Sequence, residues 1–424
     1  MSRTPAVDGG VPATSAGFEA VAAPGALPRP AGPARPAAGF RRALRRAAPA
    51  LYGYAATRLL LLALLALRAG PHRAVTKLAS AWDAGWYARI VRHGYHGASG
   101  LFNAHGAEYS ARAFFPLFPS LAEPFYRALP ISAGVALLIV CWTSGLVAAW
   151  GVFACAAQLF DRRTGVVAAV LWGVLPLAAV ETMAYSEALF TALCAWTLYA
   201  VLRRCWTTAG LLGLLAGLTR PNAMALTGAL GVVALVELYR RRRDGQGSQA
   251  RPEAWWRPLL GALLSSLGWL GYILYTGWTQ GSPTGYFRIQ DAWSSSFDGG
   301  LSTLHWVAAL TEPYHHGRGH STGNLLMAAT VLGYLVLYAV TLVRRQPLVL
   351  VVFSTLLLVM DLGNSSPYPP MARFLIPAFP LLFPLAARLA RIPRRWLLVA
   401  VLCLLALLSG YHGTDVVLFG GAPA

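Results

Sequence analysis

A chain that repeats apolar stretches long enough to cross a bilayer has few folds open to it. Candidates near the spanning length of roughly 17 to 25 residues recur at 50–68, 133–159, 165–181, 187–202, 206–219, 222–239, 257–278, 323–343, 347–361, 373–388 and 396–412. In hydrocarbon each backbone N–H and C=O must find its partner within the segment, so such runs are helices. The pattern predicts an all-α polytopic membrane protein with about eleven transmembrane helices. The shortest run, 206–219, reads as one arm of a hairpin with 222–239, turned by Arg220-Pro221. Composition agrees: 56% of residues are hydrophobic and 12% charged, with mean hydropathy +0.52, more apolar matter than one soluble core needs.

The net charge of +19 is carried almost wholly by arginine, Lys77 being the one lysine. It reads as topology and not as a nucleic-acid surface, because basic residues in short loops are retained in the cytoplasm. Arg41, Arg42, Arg45 and Arg46 precede the first run; Arg162–Arg163, Arg203–Arg204, Arg240–Arg243, Arg344–Arg345 and Arg388–Arg395 follow runs two, four, six, eight and ten. Counting spans puts all of them on one side, with the N-terminus inside and the C-terminus outside. Residues 1–40, rich in Pro, Ala and Gly and without a compact apolar signal region, read as a disordered cytoplasmic tail. Residues 41–412 form the membrane domain, with extracytoplasmic loops at about 69–132 and 279–322, and 413–424 a short extracytoplasmic tail. The expected location is the cell membrane.

On this assignment all nine histidines and most of the sixteen acids face outward, so a working site faces outward too. In the stretch SAWDAGWYARIVRHGYHG (80–97), Trp82, Trp86, Tyr87 and Ile90 recur at helical intervals, as on a helix lying at the interface. Asp83 stands at its start. It is either an N-cap beside an aromatic belt or a general base among aromatic platforms for a sugar. Ser186 and Glu187 in AYSEALF (184–190) cap and complement the dipole of run four, or belong to a site. LTRPNA places Arg220 and Asn222 at an outer turn; Arg220, and Arg373 in ARFLIPAFPL, break the charge bias as the bases of short outer loops. They either snorkel or grip phosphate in the two-point manner of guanidinium.

WDAGWYARIVRHGY (82–95), AFFPLFP (113–119), YSEALF (185–190), TRPN (219–222) and RFLIPAFPLL (373–382), in this order, resemble the bacterial PIG-V-like mannosyltransferases. The resemblance runs from about residue 50 to 390 and implies a C-superfamily glycosyltransferase architecture with a helical first extracytoplasmic loop. It further implies a polyprenyl-phosphate sugar as donor and Asp83 as the catalytic acid-base residue. The sequence has Trp82-Asp83-Ala84 where many relatives outside that branch pair two acids, which leaves Glu187, Asp361 or Glu108 as a second carboxylate. Arg220 and Arg373 become the donor-phosphate ligands, with Arg112 and Arg288 in reserve. Trp82, Trp86, Phe114 and Phe115 become platforms for a sugar or borders of a prenyl groove. A single displacement by an acceptor hydroxyl would invert the anomeric centre. The acceptor, a glycolipid, a glycan or a protein, is not named by the sequence.

No cofactor and no metal is expected. His315, His316 and His320 in YHHGRGH (314–320) lack a neighbouring cysteine to complete a zinc set. The five cysteines show no CxxC spacing and read as packing residues. A lipid or glycolipid flippase without transferase activity is the alternative, and would be marked by ionisable groups at mid-membrane or by broken-helix repeats.

Overall fold

A computed structural model describes residues 36–96, 106, 108–243, 254–309, 322–365 and 372–419. The chain divides by its internal contacts at Arg45/Arg46. Of the first unit, the described residues 36–45 are the start of the first helix; the second unit holds all the other helices and the site.

The described residues are almost wholly helical. In chain order the helices are α1 (Pro36–Ala69), α2 (Pro71–Ser80), α3 (Asp83–His93), α4 (Leu117–Ala128), α5 (Ala133–Leu159), α6 (Arg162–Gly173), α7 (Glu187–Leu202) and α8 (Trp206–Gly217). They continue as α9 (Ala223–Arg243), α10 (Arg257–Thr279), α11 (Gly285–Ala292), α12 (Leu301–Ala309), α13 (Thr322–Val343), α14 (Leu348–Leu362), α15 (Phe383–Ala390) and α16 (Arg395–Phe419). Two-residue strands β1 (Ser296–Phe297) and β2 (Asn364–Ser365) pair antiparallel and tie the second long loop to the end of α14. Six helices are long and apolar enough to cross a membrane, namely α1, α5, α9, α10, α13 and α16. The apolar helices α7, α8 and α14 and the 379–390 segment are only 10 to 17 residues long. The protein is a multi-pass helical membrane protein, in which about half of the expected runs reach full spanning length as unbroken helices.

Two expected spans are broken, both by proline. The 165–181 run ends as α6 at Gly173, because Pro176 removes a donor and disfavours helix just before it. A 3-10 turn at 178–182 follows. The carbonyls freed by the break are taken by Arg58 of α1, whose guanidinium donates to Gly173 O and Ala178 O, and to Thr182 Oγ1 at 3.3 Å. Glu181, fully buried, lies 3.7 Å from the same guanidinium. The 373–388 run, with Pro377, Pro380 and Pro384, becomes two 3-10 turns (372–375 and 379–382) and the short α15. The α16 helix continues to Phe419, through most of the stretch read as a tail.

The 206–219/222–239 hairpin is present in sequence but is not the main pairing. The α8 helix packs chiefly on α10, with Gly210, Gly213 and Gly217 facing Gly261, Ser265 and Gly268. Small residues let two backbones approach closely where lipid offers no hydrophobic drive between helices. A Cβ on Gly217 would sit 2.5 Å from Trp269 N, and one on Gly268 would collide with Leu214 O.

Candidate functional site

The stretch around Asp83 is a turn between two helices. The chain bends at Ala81-Trp82, and Trp82 takes φ 50°, ψ −118°, a conformation that costs an L-residue free energy and clusters at functional sites. A Cβ on Gly85 would meet Ser80 O at 2.9 Å, so the bend needs glycine there. The bend is docked onto the segment before α7: Leu78 O accepts from Ala184 N–H at 2.9 Å, and Asp83 N–H points to Tyr185 Oη at 3.4 Å.

Asp83 is therefore the first residue of α3 and not its N-cap. Trp82 holds the cap position, and its side chain makes no capping hydrogen bond. The Asp83 carboxylate instead accepts from Arg373 Nη1, at 2.7 Å from Oδ2. Arg373, 8% exposed, lies in the 3-10 turn at 372–375, which Trp172 Nε1 pins by donating to Ile376 O at 3.2 Å. Its Nη1 is also 3.9 Å from Glu187 Oε1. That same oxygen is 2.8 Å from Arg220 Nη1. The contacts of Glu187 are ion pairs without hydrogen-bond alignment, and neither carboxylate oxygen has a hydrogen bond among the described residues. Arg220 also donates to Ser186 Oγ at 3.1 Å, which accepts from Tyr87 Oη at 2.8 Å. Burial pushes the Tyr87 phenol far above its ordinary range, so it stays neutral and donates. Phe374 joins the two cations: its ring centre is 5.0 Å from the Arg220 guanidinium and 4.9 Å from that of Arg373.

Four of the expected site residues, Asp83, Glu187, Arg220 and Arg373, thus form one alternating acid-base chain, and Ser186 touches it. They come from the start of α3, the start of α7, the α8–α9 turn and the turn after α14. In α7 and α9 the cluster sits at the N-terminal end, while Arg203–Arg204 and Arg240–Arg243 lie at the opposite end. Asn222 shapes its turn through its carbonyl, which accepts from Ala225 N–H at 3.1 Å.

The remaining candidates divide. Trp86 is half-buried in an aromatic group with Phe114 (5.9 Å between centroids), Trp293 (5.1 Å) and Tyr109 (6.4 Å), which joins the first long loop to the residue after α11. Trp82 is half-buried against the core. Phe115 turns away: it is 1% exposed and packs on Tyr272, Ile273 and Tyr286, so Phe114 is the aromatic of AFFPLFP beside Trp86. Tyr95 and Tyr272 hold that segment by donating to Phe114 O, each at 3.0 Å. Asp361, in the last turn of α14, is 2% exposed, and no hydrogen bond or ion pair joins it to the four-charge chain among the described residues. Arg288 and Glu108 are exposed; Arg112 contributes its backbone carbonyl to Tyr272. Among the described residues no three His, Cys, Asp or Glu side chains are grouped as metal ligands, and His315, His316 and His320 lie outside them. Sequence reading missed Arg58, Tyr87, Phe374 and Trp293 as partners. Arg58 carried a signal, a charge in the middle of an apolar run.

No family model matches the chain, and no curated protein matches it significantly. Among solved structures it is similar to ArnT from Cupriavidus metallidurans bound to undecaprenyl phosphate, at 19% identity and TM-score 0.47, over 81% of this chain and 60% of that one. It is also similar to the oligosaccharyltransferase AglB from Archaeoglobus fulgidus, in complex with an inhibitory peptide and a dolichol-phosphate, at 15% identity and TM-score 0.42, over 85% and 55%. The chain spans little more than half the length of these structures.

Proposed function

We propose that the protein is an integral-membrane glycosyltransferase that moves a mannosyl residue from a polyprenyl-phosphate donor to an acceptor hydroxyl on the extracytoplasmic face, by inverting displacement. The observation that carries this reading is the alternating chain Asp83, Arg373, Glu187, Arg220, assembled from four of the five motifs that resemble the PIG-V-like mannosyltransferases. Two guanidiniums beside one aromatic ring suit a departing phosphate, and a carboxylate held next to them suits the proton of an incoming hydroxyl. In the transfer the acceptor oxygen bonds to the anomeric carbon, the bond from that carbon to the phosphate oxygen breaks, and the phosphate leaves with the electron pair against Arg220 and Arg373. The acceptor proton passes to Asp83. Trp86, Phe114 and Trp293 supply apolar ring faces near the reacting end. The donor brings its own leaving group, and Arg220 and Arg373 supply the positive charge that its departure calls for. The basic runs at the far ends of α7 and α9 support a cluster that faces away from the cytoplasm.

The test is incubation of membranes containing the protein with radiolabelled polyprenyl-phosphate mannose, followed by identification of the labelled product. Label transferred to a new lipid, glycan or protein supports the reading. Label that crosses sealed vesicles while still attached to its carrier would instead make the protein a flippase.

A further inference from the structure

Glu187 is the more deeply buried carboxylate of the cluster, and its oxygens are held by ion pairs alone, without a hydrogen bond among the described residues. One of its oxygens faces both guanidiniums, at 2.8 Å from Arg220 and 3.9 Å from Arg373. It is 1% exposed, out of reach of bulk solvent. On the cationic side, Arg373 Nε is buried and has no hydrogen-bond partner among the described residues. Buried donors and acceptors left unpaired are costly, and here they lie in one place with matching signs. The geometry is that of an anion seat between two cations, filled by a carboxylate that does not use all its donors.

We infer that Glu187 is the resident anion of the phosphate seat, displaced when the donor phosphate binds and returning to expel the product phosphate. This rests on the transferase reading above and gives Glu187 a positioning role, not that of a second base. A phosphate carries more acceptor oxygens than a carboxylate and can bond both guanidiniums in two-point fashion while reaching Arg373 Nε. Its arrival leaves Glu187 buried without its cations, which is unfavourable. That cost weakens retention of the polyprenyl phosphate left after transfer. The same exchange draws Arg373 from Asp83 Oδ2, so seating the donor exposes the carboxylate that takes the acceptor proton. Donor binding then precedes acceptor activation.

The experiment uses the full-length protein in lipid nanodiscs, comparing wild type with Glu187→Gln, and polyprenyl monophosphate with the uncharged polyprenol as probes. Gln keeps the shape but removes the competing charge. The variant should bind polyprenyl phosphate roughly five- to a hundredfold more tightly, the usual range of coupling between competing interactions, with polyprenol unchanged. With labelled donor it should give a burst of one turnover and then a slowed steady state, because product release has lost its driving group. Equal or weaker phosphate binding by the variant, or loss of the burst itself, overturns the placeholder role. The second outcome would make Glu187 a participant in the chemistry. If the extra positive charge prevents folding of the Gln variant, Glu187→Ala is expressed with inorganic phosphate in the buffer. Phosphate should raise its melting temperature more than that of wild type, and an equal rise in both overturns the inference. Wild-type protein that does not distinguish polyprenyl phosphate from polyprenol would refute the transferase reading, a result separable from either of the others.

Discussion

Arg373 Nη1 lies 2.7 Å from Asp83 Oδ2 although 290 residues separate the two in the chain. The pairing turns the Asp83 carboxylate to Arg373 at the start of α3, where Trp82 holds the cap position without a capping hydrogen bond from its side chain. It also rules out a snorkelling role for Arg373, because its guanidinium is buried between two acids and two aromatic rings.

Asp83→Asn keeps the side-chain size and can still accept one hydrogen bond from Arg373, but it cannot take up a proton. The variant should reach the membrane in normal amount and lose roughly 10²- to 10⁴-fold in transfer rate. Single-turnover kinetics in matched proteoliposomes decides. Transfer near the wild-type rate would move the base to another residue.

Arg373→Lys retains the charge without the planar fork that spans Asp83, Glu187 and the rings of Tyr185 and Phe374. Loss of turnover on the order of 10²-fold is expected, the scale of removing one preorganised donor from a reacting oxyanion. Kinetics that do not change across donor concentrations would show that Arg373 does not touch phosphate.

Arg58→Met frees the carbonyls of Gly173 and Ala178 and leaves Glu181 buried and unpaired, with a loss of about 3–5 kcal/mol. Adding Glu181→Leu should recover part of that loss. Thermal unfolding in detergent measures both, and a double variant less stable than the single one would refute the brace.

Gly268→Ala pushes a methyl group against the Leu214 carbonyl and Gly217 Cα, backbone atoms that cannot rotate away. Destabilisation of about 1–3 kcal/mol is expected from overpacking, again read by thermal unfolding. An unchanged melting temperature would mean that α8 and α10 do not meet backbone to backbone.

Orientation is tested with exposed positions, since Glu187 and Arg373 are buried. With Cys205 and Cys403 replaced, a cysteine at 288 should react with an impermeant thiol reagent on intact cells, and one at 242 only after permeabilisation. The reverse pattern would place the charge cluster in the cytoplasm.

Hydropathy by itself determined where helices lie, because a bilayer accepts only segments that satisfy their own backbone, and the runs at 133–159, 187–202 and 257–278 reappear as α5, α7 and α10 within a few residues. The helical start at Asp83 was legible in the same way, from local periodicity. The prolines that cut runs three and ten were visible in the sequence, but that the break in run three would hold was decided by Arg58, which takes the freed carbonyls from another helix. Helix pairing was likewise decided by the tertiary structure. To lipid one apolar face resembles another, and only the close fit of Gly210, Gly213 and Gly217 against Gly261 and Gly268 selects α10 over the neighbour in sequence. The site followed from that packing: Arg220 and Arg373 stood out as isolated charges, but which acid each would meet depends on side-chain reach across four segments. Phe115 and Phe114 show the same limit at the scale of one residue. Both are apolar and adjacent, and the turn at 111–113 sends one into the Tyr272 cluster and the other to Trp86.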